Sequence, residues 1–289
     1  MSWRSIIISK PSILSVNKNQ LVVKQIEESK IPLEDISVII LDTLQVNLTG
    51  CFLSSAAKYN IAVLSCDEKH MPCAIYQSFH QHSRQSRMTH LQNSMNLPLK
   101  KQIWKLIIKQ KITNQGSLLS LHNYTDHGLV SIASSVKSGD KTNREAYAAR
   151  IYFSILFSSG GRHGSGSISL ALDYGYAILR SIIAQQLVAY GFIPSLGVFH
   201  HNELNAFNLA DDLIEPYRPF VDQYVLSQGT IFTEPLSKEN RQILVQLILE
   251  NVKIKNSSYS IQNAIRETVK SLGTCFIEND PFKITLPVL

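Results

Sequence analysis

Long apolar runs are missing from this 289-residue chain; each is broken by charge or glycine well before membrane-spanning length, so no transmembrane helix is expected. The opening residues, MSWRSIIISKPS, carry neither an adequate apolar run nor a small-residue cleavage site, which argues against a secretory signal. Cysteine is scarce. Cys51, Cys66, Cys73 and Cys275 show no C-x-x-C spacing, which speaks against thiolate metal ligation and against a disulfide framework. Reduced, mostly buried thiols and a cytoplasmic location are the expectation. The one glycine-rich tract, SSGGRHGSGS, has no strand before it and no G-K-[ST] after it, so it is not a Walker phosphate cradle. No internal repeat is present. What remains, 44% hydrophobic and 17% charged residues, is ordinary globular composition, in a length that suits two domains.

A further absence is local. Between Lys69 and Thr125 there is no Asp or Glu, against eight Lys or Arg. The rest of the chain holds 20 basic and 22 acidic residues, so the whole excess behind the net charge of +6 lies in this window. His70, His80, His82, His90 and His122 lie there too. A one-sided run of this kind is the electrostatic footprint of a phosphate backbone. Arg84, Arg87, Lys100, Lys101, Lys105 and Lys109 are the candidate contacts.

Residues 1–78 read as a small β-rich domain with one helix. Short β-branched runs cover Ile6 to Ile8, Ser12 to Val16 and Gln20 to Lys24, with a turn at Asn17-Lys18-Asn19. Strands at Ile36 to Leu41, Ile61 to Cys66 and Pro72 to Gln77 flank a helix-like patch over Leu48 to Tyr59. Residues 79–96, rich in His, Gln, Ser, Arg and Met, read as a linker or a helix facing a polar partner. Residues 97–289 read as an all-α domain, which makes the whole a two-domain α+β chain. In it, Leu97 to Asn114 combines a lysine stripe (101, 105, 109) with a buried face of Ile103, Trp104, Ile107 and Ile108. Asn143 can cap REAYAARIYFSILF, and a nearly all-round apolar helix, closed by Gly191, marks a bundle centre. Two further helices follow, one after Ser237 and one over Tyr259 to Leu272, and the tail with Pro281 and Pro287 reads as loose.

The chemistry gathers in GVFHHNELNAFNLADDLIEPYRP, residues 197–219. His200 and His201 precede a segment bearing Asp211, Asp212 and Glu215. On a helix, Asp212 or Asp211 can share a face with Glu215. Pro216 has no N–H for the carbonyl of Asp212, so the helix must kink or end beside the acids. Imidazole plus carboxylate suits Mn²⁺ or Mg²⁺. Glu145, in the first turn of its helix, is a further acid at a position the dipole favours.

The runs NREAYAARIYFSILF, LALDYGYAIL, LGVFHHNELNAFNLADDLIEPYRPFVD and LKKQIWKLIIKQKI, in this order, resemble the CRISPR-associated (Cas) adaptation integrase/endonuclease family in its type II branch. IPLEDISVIIL and IAVLSCD extend the resemblance upstream. It implies Glu145, His200 and Glu215 as catalytic metal ligands for Mg²⁺ or Mn²⁺, with Asp212 in support or His201 as an alternative ligand. It further implies that Arg144 and the basic window hold DNA without reading its sequence. In the family the β domain forms a homodimer, and two dimers flank a small ferredoxin-like partner. That assembly joins 3′-hydroxyl ends of captured DNA (the prespacer) to a CRISPR repeat. The type II branch adds an effector nuclease and a ring-shaped DNA-binding protein as candidate companions. One departure stands out: Gly164 to Ser169 replaces an Asp-Pro-x-Asn-like run of the family, beside Arg162 and His163. Two other readings keep the same residues. One is a hydrolytic nuclease; the other is a DNA-binding scaffold whose acids merely pair with Arg144, Arg150 or Arg218.

Overall fold

The computed structural model describes residues 4–76, 78, 85–157, 166–229 and 231–289. Arg84 and, in the glycine-rich tract, Arg162 and His163 lie outside the described residues. The N-terminal part is β-rich. One sheet takes the order β1 (Arg4–Ile8), β5 (Ile36–Leu41), β7 (Ala62–Cys66), β8 (Pro72–Tyr76), parallel except for β8. The other takes the order β4 (Glu28–Pro32), β3 (Gln20–Lys24), β2 (Ser12–Asn17), β6 (Val46–Leu48). Lys18 and Asn19 both have positive φ, which lets a two-residue turn join β2 to β3. Strands β4 and β6 were not anticipated: β4 is too polar and exposed to show alternation, and β6 has only three residues.

The sequence ISVIIL of β5 is buried along its whole length, as an inner strand covered on both faces must be. Because side chains alternate, Ile39 and Leu41 face a core shared with β2, β3 and α1 (Gly50–Lys58), where Leu14, Leu21 and Phe52 lie. Val38 and Ile40 face the other way, into the helical core. The sheet is thereby one wall of the helical region, and polar contacts reinforce the junction. Ser37 Oγ donates to Gln262 at 2.6 Å, and buried Asp42 receives Arg241 Nε and Nη2 at 3.0 and 2.8 Å.

Within the stretch 79–96, Gln85–Ser94 form α2, whose Met88 and Gln92 are buried; Gln92 donates to the carbonyls of Ile193 and Leu196. After it come α3 (Leu97–Leu121), α4 (Leu129–Ser135), α5 (Arg144–Leu156), α6 (Ser167–Ala189), α7 (Asn208–Ile214), α8 (Arg218–Ser227), α9 (Lys238–Gln246) and α10 (Ile261–Glu278). α6 is the central helix. Its Gly175 permits close approach to α8, since a Cβ there would stand 2.6 Å from Val221 Cγ1. Gly191 (φ +81°) does end it, with Phe192 N–H returning to Leu187 O. The helical region also contains one hairpin, β9 (Asn251–Ile254) and β10 (Ser257–Ser260), turned at Lys255 with φ +53°.

Two expectations need correction. The tail is docked, not loose: Val288 N–H donates to Lys253 O, and buried Asn114 receives Leu289 N–H while donating to Pro287 O. The thiols are not mostly buried, for Cys51 and Cys73 are exposed and only Cys66 and Cys275 are covered. Among the described residues no helix is long and apolar enough to cross a membrane.

Candidate active site

The site is built on α3. Its buried face runs through Ile103, Trp104, Ile107, Ile108, Lys111 and Ile112, the spacing of one helical stripe. Lys111 therefore occupies a core position. A buried ammonium must find anions, because desolvation is costly without them. It finds two: Nζ contacts Glu145 Oε1 and lies 2.5 Å from Glu215 Oε2.

Glu145 reaches this point from the first turn of α5. The cap of that helix is not Asn143. Asn143 adopts a left-handed conformation (φ 50°, ψ 45°), and its side chain makes no cap bond. Asp140 does the work instead, with its carboxylate accepting the N–H groups of Arg144 and Glu145 at 2.9 Å each.

The third component is the turn at 197–200, wrapped around buried Asp212 of α7. Asp212 accepts backbone N–H groups from Val198, Phe199 and His200 at 2.6–3.1 Å, and His200 Nδ1 at 2.7 Å. Gly197 is required, since a Cβ would stand 2.2 Å from His200 O and 2.8 Å from Asp212 Oδ2. An ionised carboxylate only accepts, so Nδ1 carries the hydrogen and Nε2 is the nitrogen left for a ligand. The ring sits edge-on to Trp104, which is stacked on Phe199 with centroids 4.1 Å apart. His201 is exposed and bonded to Phe199 O. Asp211 turns away to Arg180 and Asn205. α7 ends at Ile214, and Glu215–Tyr217 form a 3₁₀ turn, the break that Pro216 demands.

Electrostatics follow from this packing. Burial alone would raise the Glu215 carboxyl, but the charges of Lys111 and Arg218 overcome it and hold it down to about 2. His200 is raised above the ordinary imidazole value, chiefly by its hydrogen bond to Asp212 and against its own burial, with the charge of Glu215 adding to the effect. The fold thus gathers Glu145 and Glu215 around one cation and sets His200 within reach of the Glu215 field. Among the described residues no three His, Cys, Asp or Glu side chains are arranged to hold an ion as they stand. The ammonium of Lys111 occupies the point where the two acids meet.

His200 and His201 line an open cleft of ≈ 460 Å³ together with Lys100, Gln92 and Asn202. Arg87 and Lys109 are exposed, and Lys101 and Lys105 are half-buried. Arg144 is half-buried too, with an Nε that is covered and has no hydrogen-bond partner. Sequence reasoning passed over Lys111, although the signal was available: it is the one lysine in register with the apolar stripe rather than the cationic one. Asp140 had no comparable signal, because its capping role depends on a 3₁₀ turn with left-handed Gly139.

A sequence model of the family described as "CRISPR associated protein Cas1" matches residues 6–230. The chain belongs to the Cas1 family. It is 38% identical to the CRISPR-associated endonuclease Cas1 of Neisseria meningitidis serogroup C (strain 8013), over 99% of this chain and 96% of that protein. Its fold resembles a casposase bound to integration product (TM-score 0.77, 18% identity, 96% of this chain and 91% of that one). It also resembles a Cas1 protein from Thermotoga maritima (TM-score 0.76, 16% identity, 95% and 97%).

Proposed function

We propose that this Cas1-family protein is a metal-dependent DNA integrase/endonuclease of CRISPR adaptation, joining the 3′-hydroxyl ends of a captured prespacer duplex to a CRISPR repeat. The observation that carries the reading is the meeting of Glu145 and Glu215, 70 positions apart, on one cation beside an Asp212-oriented histidine. The residues fit a divalent ion: Glu215 Oε2 is buried with no hydrogen bond of proper direction, and two carboxylates plus imidazole Nε2 suit Mg²⁺ or Mn²⁺. Held by Glu145, His200 and Glu215, such an ion would draw charge from the non-bridging oxygens of the scissile phosphate. Asp212 fixes the tautomer and direction of His200. Arg218 anchors Glu215 through Nε at 2.9 Å. Arg87, Lys100, Lys101, Lys105, Lys109 and Arg144 would hold the phosphate backbone without reading sequence.

The reaction is balanced in itself: one P–O bond forms to the incoming 3′-oxygen, another breaks, and the proton passes in net terms to the released 3′-oxygen. No energy source is needed. The relative whose fold holds an integration product supports this strand-transfer reading. The name endonuclease carried by the Neisseria relative also favours hydrolysis with the same residues. Incubating the protein, a short duplex and a supercoiled repeat plasmid in Mn²⁺ separates the two. Strand transfer predicts joined products that vanish when the 3′ ends are blocked, whereas plasmid nicking indifferent to blocked ends would establish hydrolysis instead. The assay includes a small ferredoxin-like partner, because the functional unit we propose is two homodimers flanking it. Cytoplasmic action, alongside type II companions, belongs to the same reading.

A further inference from the structure

Lys111 is the most deeply buried lysine of the cationic window, with 6% of its side chain exposed, and its neighbours on α3 are Ile107, Ile108 and Ile112. Its ammonium is shared between two carboxylates that belong to separate parts of the chain. Arg218 satisfies Oε1 of Glu215, and Oε2 is left to Lys111 alone, at 2.5 Å but without the direction of a good hydrogen bond. With Arg218 counted, two negative and two positive groups balance. Lys111 is thus what keeps two acids together when no ion is bound.

We propose that Lys111 is a built-in stand-in for the divalent ion: its ammonium neutralises Glu145 and Glu215 in the metal-free protein and must leave them for the ion to bind. This rests on the metal-site reading above. An ion and an ammonium drawn to the same two carboxylates repel each other, most strongly on the buried Glu215 side, where that side chain is 9% exposed. The oxygen of Glu215 that Arg218 leaves open, Oε2, is the one Lys111 takes, so ion and ammonium compete for it. The lysine's four-carbon stem allows its head to swing away while the stem remains packed, which a guanidinium held by two bonds would resist. Metal binding is therefore an exchange of one cation for another. Affinity for the ion is lowered by whatever holds Lys111 in place, and the fold stays intact without metal.

The test is direct binding of Mn²⁺ to chelator-stripped, full-length protein, by calorimetry and by the loss of the free Mn²⁺ paramagnetic signal, with melting curves in chelator and in Mn²⁺. Lys111→Gln should bind Mn²⁺ about tenfold tighter or more than the unaltered protein, the scale of a lost charged hydrogen bond. It should melt lower in chelator and gain more from Mn²⁺. Lys111→Arg, which keeps the charge, should bind no tighter than the unaltered protein and covers the case in which Lys111→Gln fails to fold. Glu145→Ala should weaken binding about tenfold or more, which locates the ion. Equal or weaker Mn²⁺ binding by Lys111→Gln, with Glu145→Ala still weakened, would overturn the stand-in role and leave the metal site standing. Tighter binding by Lys111→Arg would overturn it as well. No Mn²⁺ binding by any form would bring down the metal site and the exchange together.

Discussion

Asp42 and Glu215 are both buried carboxylates that face an arginine, yet their surroundings differ. Asp42 receives Arg241 through two nitrogens on Oδ2 and His70 Nδ1 on Oδ1, while Arg241 Nη1 donates to Leu236 O. Both Asp42 oxygens and all three Arg241 nitrogens have partners, and the pair ties the end of β5 to α9. Glu215 has one good bond, from Arg218, and must share Lys111 with Glu145, whose side chain is 30% exposed. The Asp42–Arg241 pair of the first cluster is closed: each charged nitrogen of Arg241 has an acceptor, and solvent reaches the group only at the half-exposed ring of His70. In the second, two acids draw on one ammonium at the edge of a solvent-facing surface. Structural ion pairs perturb titration as much as active sites do, so the shifted Glu215 alone would not tell them apart. The match of donors to acceptors does.

The largest effect should come from opening the second cluster. Glu145→Ala should lower strand transfer about 10⁴-fold, roughly 5 kcal/mol of barrier. Lys111 keeps Glu215 as a partner, so unfolding free energy should move by about 1 kcal/mol or less. DNA affinity should hold or rise as a negative charge is removed. Retained transfer would return the acids to the scaffold reading. Next in size is Arg241→Ala. Stripping a buried carboxylate of its partner costs about 3–5 kcal/mol, read as a lower denaturant midpoint at unchanged slope. Transfer per folded molecule should stay within a few-fold. If the two variants exchanged their phenotypes, the contrast between a closed and an open cluster would be wrong.

That contrast was only half legible in the sequence. His200, Asp212, Glu215 and the break at Pro216 lie within one short stretch, and local spacing suffices to relate them. Glu145 could be set beside them only by the family resemblance, since nothing in its own helix distinguishes it from an ordinary helix-start acid. Strands such as β5 and β7 announce themselves by short, largely apolar runs, ISVIIL and AVLSC. β4 and β6 do not, because edge strands with exposed faces carry no alternation, and the β9–β10 hairpin is four polar-rich residues a side. The packing of the sheet's second face on the helices was invisible for another reason. Asp42 and Arg241 are 199 positions apart, and neither residue type suggests the other.

The closed cluster can be sharpened chemically. Burial first, then the nearby Asp42 charge, pushes the Cys66 thiol up to about 12; burial does the same for Cys275. A raised thiol value means protonation at working pH, so at pH 8 the reactive thiolate is about one part in 10⁴. A thiol reagent should modify Cys51 and Cys73 rapidly in the native protein and leave Cys66 and Cys275 until it unfolds. Fast modification of Cys66 would show that the Asp42 cluster opens to solvent.

The smallest effect separates the two clusters by what they face. Log DNA affinity should fall steeply with log salt if the half-exposed lysines of α3 neutralise phosphates. Lys105→Ala should reduce that slope by about one unit or less, the share of a single phosphate contact. Arg241→Ala removes a charge of the same sign, but one already cancelled by Asp42 and shielded from solvent, so it should leave the slope unchanged wherever the variant is folded. An equal change in both would mean that the slope reports net charge rather than a path for the backbone. A change in Lys105→Ala alone would assign the nucleic-acid track to the side of α3 that bears the lysine stripe, next to the unfinished cluster and away from the finished one.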